Sequence, residues 1–535
     1  VRVPTDLVLA EDVMPLGHLL LRSAKRDPDH EALVFPDSRW TYRELTDRAW
    51  GIAKSLLALG VQPGEHVGFL MTNHPDLVAT YFGISLAGAV VVPINARYRT
   101  TELRTIVEDA DMVVLLTHDH ADAHVDFTAL IEEAGMPPAL RHTVMMGERE
   151  PEGMISRREF DLLGEQVDER ALITRVEGQR VRDPALILYT SGTTSAPRGA
   201  ILSHEANVRI WTTTGRVWET TREDRHWTAL PLYHVTALGC LTWVLGVGAT
   251  FISDYSWDAG RALRAMETEQ ATEFYPAYQP VMEDLISHPD FAAADLSRIR
   301  TFLNVAPPEV LAKFQDRIPH AIQLTTYGGT EGGPVTLVRR DDPLETRLNT
   351  CGRCQPGLEL KVVGEDGQDV PPGTPGTILF RGWNTLTEYY KSPRKNAESM
   401  LEGGWVTMQD LGVMDEHGAV LFLGRVKETL KVGGENVAPQ EVEAQLCTHP
   451  AVKLAQVVGI PDERLVEVPA AFVELLPGVE VTPEVLIAHC RGKIASFKVP
   501  RLIRFIDGAE WPMSTTKIQR FALKERLLAE LGVHA

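Results

Sequence analysis

Apolar positions along the first third of the chain switch repeatedly between two periods. Leu45, Ala49, Ile52, Ala53 and Leu56 recur at helical spacing. They follow Thr41-Tyr42-Arg43-Glu44, which reads as a capping box with Glu44 reaching back to the Thr41 amide. Gly60 supplies a left-handed C-cap, and Pro63-Gly64 turns the chain into a strand over 66–71. A helix over 77–86, a buried strand over 89–94, a helix starting near Thr101 and a strand over 112–116 continue the alternation. Strands separated by helices predict an α/β architecture with parallel-type sheets covered by helices.

The pattern changes twice further on. Leu358, Leu360 and Val362 alternate with polar residues, Glu365-Asp366-Gly367 turns, and 377–380 resumes the alternation. That predicts an antiparallel sheet or small β-barrel subdomain. After Gly424 the pattern is mixed, with helices expected over 440–447 and 483–490 and strands over 454–458 and 470–475. The chain therefore divides into a large N-terminal domain, residues 1–424, and a small α+β C-terminal domain, residues 425–535.

Composition narrows the function classes. The 535 residues are 44% apolar and 24% charged, ordinary for a globular protein, and the net charge is -20. A nucleic-acid-binding surface needs basic patches that displace counterions, so that class is set aside. The apolar stretch 241–252 falls short of the roughly 20 residues of a membrane helix. Pro4 and Pro15 break an acidic N-terminal region unlike a signal peptide, so the cytoplasm is the expected location. Five cysteines form no disulfide framework, and the C-x-x-C of Cys351 and Cys354 lacks the partners of a zinc site.

The strongest chemical signal is Tyr189-Thr190-Ser191-Gly192-Thr193-Thr194-Ser195-Ala196-Pro197-Arg198-Gly199. It follows the apolar run Leu186-Ile187-Leu188 and precedes Ala200-Ile201-Leu202, which excludes a simple flexible linker. Gly192 lets backbone amides approach an anion, the flanking hydroxyls donate to phosphate oxygens, and Arg198 adds a fixed fork of donors. No Walker A spacing is present.

This stretch resembles the phosphate loop of the adenylate-forming superfamily: acyl-CoA synthetases, peptide-synthetase adenylation domains and luciferases. Arg198 stands where that family usually has lysine, which keeps the charge and changes its shape. Further family motifs follow in order. Val305-Ala306-Pro307 resembles the adenine-binding strand end, although Asn304-Val305 replaces the usual glycines and crowds the acyl pocket, which sits poorly with a long straight acyl chain. Tyr327-Gly328-Gly329-Thr330-Glu331 resembles the segment whose tyrosine stacks on adenine, whose threonine contacts phosphate and whose glutamate helps hold magnesium. Asp410 matches the ribose-binding aspartate, here after Met408-Gln409 where Thr-Gly is usual. Arg425 matches a second ribose contact and Lys427 the hinge about which the small domain is mobile. Gly433 and Gly434 match a hairpin beside the pantetheine arm, His234 a gate between acyl pocket and thiol tunnel, and Lys517 the catalytic lysine. Tyr275, Gly329, Leu238 and Trp243 are further candidates for the acyl-pocket lining.

The resemblance implies ATP and Mg²⁺ as cofactors, a small carboxylic acid as substrate and coenzyme A as co-substrate. Acid and ATP would give an acyl-adenylate and pyrophosphate, and a thiol would then take the acyl group as AMP leaves. A carrier-protein thiol, an amine or another small nucleophile is the alternative acceptor. A non-catalytic binding protein on the same scaffold is the alternative of another class.

Overall fold

The computed structural model describes residues 13–121, 125–190, 197–433, 435–462, 464–514 and 517–532, with Thr190, Lys427, Asn436, Ser514 and Lys517 described by backbone alone. The capping box forms as the sequence predicts. Glu44 Oε2 accepts from the Thr41 amide at 2.7 Å and Thr41 Oγ1 accepts from the Glu44 amide at 3.2 Å, opening the Tyr42–Ala58 helix. Gly60 then takes the left-handed conformation, φ 76°.

Two seven-stranded sheets carry the large domain. The first runs edge to edge through Ile322–Leu324, Thr301–Val305, Glu273–Tyr278, Arg225–Trp227, Thr250–Ile252, Glu31–Phe35 and Ser38–Thr41. The second runs through Glu388–Tyr389, Arg198–Ser203, Pro184–Thr190, Val90–Pro93, His66–Leu70, Met112–Thr117 and His142–Met145. Neighbours are parallel except at the Glu31–Phe35/Ser38–Thr41 hairpin and at the two pairings made by Arg198–Ser203. The helix Pro75–Leu86 is buried along its whole length, as a helix packed between covered sheet faces must be.

The predicted antiparallel subdomain is present in two parts. Thr326–Gly329, Gly333–Leu337 and Arg353–Cys354 form one sheet, and Glu359–Val363, Gly376–Arg381, Asp410–Met414 and Val420–Arg425 form another. An antiparallel bridge between Arg353 and Ala419 joins them. Beyond Arg425 the chain builds a separate apolar core from residues such as Leu430, Val442, Val457, Phe472 and Leu523. Its sheet sets Val466–Leu475 between Leu430–Val432 and Val452–Asp462, with Leu502–Phe505 in parallel.

One glycine shows how tightly the hairpin that carries Tyr327 is drawn. A Cβ on Gly328 would lie 1.9 Å from the carbonyl oxygen of Gly333 across the turn. The backbone cannot yield without breaking the ladder, so glycine here is a steric requirement of the hairpin itself. Gly328→Ala is expected to cost about 1–3 kcal/mol, as overpacking does. A thermal unfolding midpoint within error of wild type would contradict this.

Candidate active site

A cavity of about 1500 Å³ lies between the large domain and the small one. Its wall collects segments far apart in sequence. Tyr327 sits on the edge of the Thr326–Gly329 strand, buried and stacked on Phe422 with ring centroids 5.9 Å apart. Its hydroxyl donates to Asp410 Oδ2 at 3.0 Å. Burial, reinforced by the Asp410 charge, pushes the Tyr327 phenol well above its usual range and keeps it a donor. Asp410 opens its strand directly opposite Arg425 in the antiparallel register, and Arg425 Nε lies 3.5 Å from Asp410 Oδ1. Both residues line the cavity.

A second polar patch lies along the same wall. Glu331 Oε1 accepts from the Tyr389 hydroxyl at 2.7 Å. Arg198, at the start of its strand and paired in register with the Thr190 backbone, lines the cavity with Glu331 and Lys395. Burial, with Glu331 beside it, raises the Tyr389 phenol well above its usual range, while the Arg198 charge acts the other way. Val305, Ala306, Pro307, Gly328, Gly329 and Thr330 line the wall between the two patches. His234 precedes the Val235–Val247 helix as its N-cap and also lines the cavity.

Several expected residues are placed elsewhere or not described. Ser191, Gly192, Thr193 and Thr194 lie outside the described residues, as does Gly434. Lys517 begins the second strand of a hairpin, Met513–Ser514 with Lys517–Ile518, and only its backbone is described. Gly433 adopts φ 61°, with its amide donating to the Leu465 carbonyl at 2.7 Å, and does not line the cavity. Leu238 and Trp243, expected in the acyl lining, are core residues instead. The Trp243 indole donates to Thr220 Oγ1 at 3.1 Å inside the protein.

Sequence reasoning missed Trp211, Tyr278, Tyr389 and Arg520, all of which line the cavity. Arg520 follows Lys517 by three positions. It is ion-paired to Glu443 at 2.6 Å and to Glu428 in the turn Val426–Glu428. These pairs tie the Arg520–Glu530 helix to that turn and to the Pro439–Cys447 helix. Trp211 has the helical spacing of a core residue, so its sequence carries no sign of a lining role.

A magnesium ion carried by phosphates needs few protein ligands, often one or two carboxylates. Glu331 fits that need: one oxygen is held by Tyr389, and the carboxylate lines the cavity near Arg198. Among the described residues the cluster with metal-ligand spacing lies elsewhere, at His74, Asp76 and His118. Its geometry opposes a resident metal. His74 Nδ1 accepts from the Asp76 amide and His118 Nδ1 from the His120 amide, whereas a ligating histidine normally donates through its second nitrogen. Arg48 and Arg157, at 3.2 and 3.3 Å, already neutralise Asp76.

A doubly sheeted large domain, an antiparallel subdomain and a small C-terminal domain around one cleft define the adenylate-forming class. The AMP-binding enzyme model matches residues 20–390, and the model of the AMP-binding enzyme C-terminal domain matches 441–516. Feruloyl-CoA synthase of Amycolatopsis sp. is 32% identical over 92% of this chain and 95% of its own length. The mitochondrial medium-chain acyl-CoA ligase of Danio rerio is 32% identical over 96% of this chain and 88% of its own. The crystal structure of an anthranilate CoA ligase with anthranoyl-AMP superposes with a TM-score of 0.89 at 28% identity, covering 98% of this chain and 99% of that one. The chain belongs to the AMP-binding enzyme family and is an ATP-dependent enzyme of the AMP-forming acyl-CoA synthetase class. No helix among the described residues is long and apolar enough to cross a membrane.

Proposed function

We propose that this enzyme activates a carboxylic acid as its acyl-adenylate and transfers the acyl group to the thiol of coenzyme A. The observation that supports this most directly is the Tyr327–Asp410–Arg425 cluster, three residues from separate strands converging on one cavity wall. A buried carboxylate flanked by a ring and a guanidinium suits a nucleoside: the ring packs on the base and the carboxylate accepts from both hydroxyls of a cis-diol.

In the first half-reaction the acid's carboxylate oxygen attacks the α-phosphorus of ATP in line. The new P–O bond forms as the bond to pyrophosphate breaks. Two anions must meet, so catalysis is charge neutralisation and positioning. Lys517 would bridge the attacking carboxylate and the α-phosphate. Arg198, with Thr190 and the segment through Thr194, would hold the leaving pyrophosphate. Glu331 would hold magnesium, which draws charge from the phosphate oxygens when bound. In the second half-reaction the thiolate sulfur attacks the acyl carbon and AMP leaves. His234 would gate thiol access, and Gly433 and Gly434 would flank the pantetheine arm. We place the domain boundary between Gly424 and Arg425, where the second core begins a few residues later at Leu430.

Lys517→Ala is expected to slow ATP–pyrophosphate exchange by at least about a hundredfold, the size of losing one group that stabilises transition-state charge. Thioester formation from supplied acyl-adenylate should stay within a few fold of wild type. An equal loss in both assays would remove the assignment. Asp410→Ala is expected to weaken ATP binding by about tenfold or more through the lost charged hydrogen bonds. Titration calorimetry giving the wild-type affinity would refute that role.

A further inference from the structure

The acyl side of the cavity contains two polar groups that the protein itself leaves unused. Tyr275 and Trp211 line the cavity while only 3% and 4% exposed. The Tyr275 main-chain carbonyl is occupied by Thr228 Oγ1 at 2.8 Å. Its phenol hydroxyl has no hydrogen-bond partner among the described residues, and neither has the Trp211 indole N–H. Burial raises the Tyr275 phenol well above its usual range, with Tyr278 and Cys240 adding to the rise, so it keeps its proton.

The layer behind these rings is satisfied and closed. Trp243 stacks edge-on against Trp218 at 5.3 Å and against His226 at 4.9 Å. His226 Nε2 lies 3.1 Å from Cys240 Sγ, its Nδ1 lies 3.3 Å from Glu273, and Glu273 accepts from Arg300 at 2.6 Å. Trp211 itself rests on Gly239 so closely that a Cβ there would lie 1.8 Å from the indole. Trp218, Trp243 and His226 in this layer are each only 2% exposed. Val305, 42% exposed at the end of its strand, projects into the same cavity.

An indole N–H donates only, so a molecule that fills this space must bring an acceptor. A donor that is covered by the substrate and left unpaired costs about 1–3 kcal/mol, which an alkyl acid would incur and an oxygenated one would avoid. The rings of Trp211, Tyr275 and Tyr278 favour a flat partner.

We propose that the acid activated here is compact and ring-bearing, with a hydrogen-bond-accepting oxygen on the ring, and that the Tyr275 hydroxyl and the Trp211 indole N–H select it. This rests on the acid-activation reading above.

The test is pyrophosphate release by the full-length enzyme with matched acids. These are benzoic acid against its 2-, 3- and 4-hydroxy and methoxy derivatives, cinnamic acid against the corresponding set, and octanoic and palmitic acids. The best oxygenated acid should exceed its parent ring acid in kcat/KM by at least about tenfold. Tyr275→Phe and Trp211→Phe should each reduce that ratio by roughly three- to tenfold, a readout that a merely structural role would not move. A parent ring acid or an alkyl acid equal to the best oxygenated acid in the wild type would overturn the proposal and leave acid activation standing. So would an unchanged ratio in both variants. If neither variant folds, the wild-type ratio alone decides. No release and no exchange with any acid would overturn the activation reading itself, and this inference with it.

Discussion

Much of the site depends on one buried carboxylate. Asp410 stands opposite Arg425, the residue at which the chain leaves the antiparallel sheet for the small domain. Removing a carboxylate from water is costly unless its oxygens are occupied by donors. Here the Tyr327 hydroxyl donates to Oδ2 and the Arg425 guanidinium places an opposite charge 3.5 Å from Oδ1, and each comes from a different strand. Meeting that requirement fixes the register of Asp410 against Arg425 and the position of the Tyr327 hairpin. The hairpin in turn carries Thr330 and Glu331 to the cavity wall.

The small domain is held over this wall by a modest set of contacts. Lys453 pairs with Asp284 at 3.0 Å and with Glu474 of its own domain at 2.8 Å. The Gln279 amide approaches Cys447 Sγ at 3.7 Å. Gly424 has φ 141°, and a Cβ there would lie 2.6 Å from Gln440 Oε1, so the chain passes close to the first helix of the small domain as it leaves the large one. Partly exposed ion pairs contribute little each, about 0–1 kcal/mol.

Two residues of the cavity wall, the first a departure from the family pattern, hold a left-handed backbone conformation. Gln409 replaces the usual glycine and is held at φ 62°, a conformation that side chains rarely adopt. Its amide donates to Thr407 Oγ1 at 2.9 Å and its carbonyl accepts from Val426 at 3.0 Å, so the surrounding ladder holds it there. Ala277 is likewise at φ 59°, beside a bulge in the Glu273–Tyr278 strand. That irregularity falls between Tyr275 and Tyr278, both of which line the cavity.

Local chemistry made much of this protein legible from its sequence. The capping box at Thr41, the turn at Gly60 and the alternation through Leu358 and Val362 each depend on neighbours within a few residues, and periodicity records them. Motifs such as Tyr327 to Glu331 are legible because their glycines are demanded by the tight hairpin. The cavity lining was legible only in part: Tyr275, Val305 and Gly329 line it as expected, whereas Leu238 and Trp243 lie in the core and Trp211 was missed. Trp211 and Trp243 are both tryptophans on apolar helices, yet one lines the cavity and the other closes the core behind it. That division is set by which helix face meets Gly239 and by which indole finds an internal acceptor. Both are products of packing between distant segments, which no local pattern encodes.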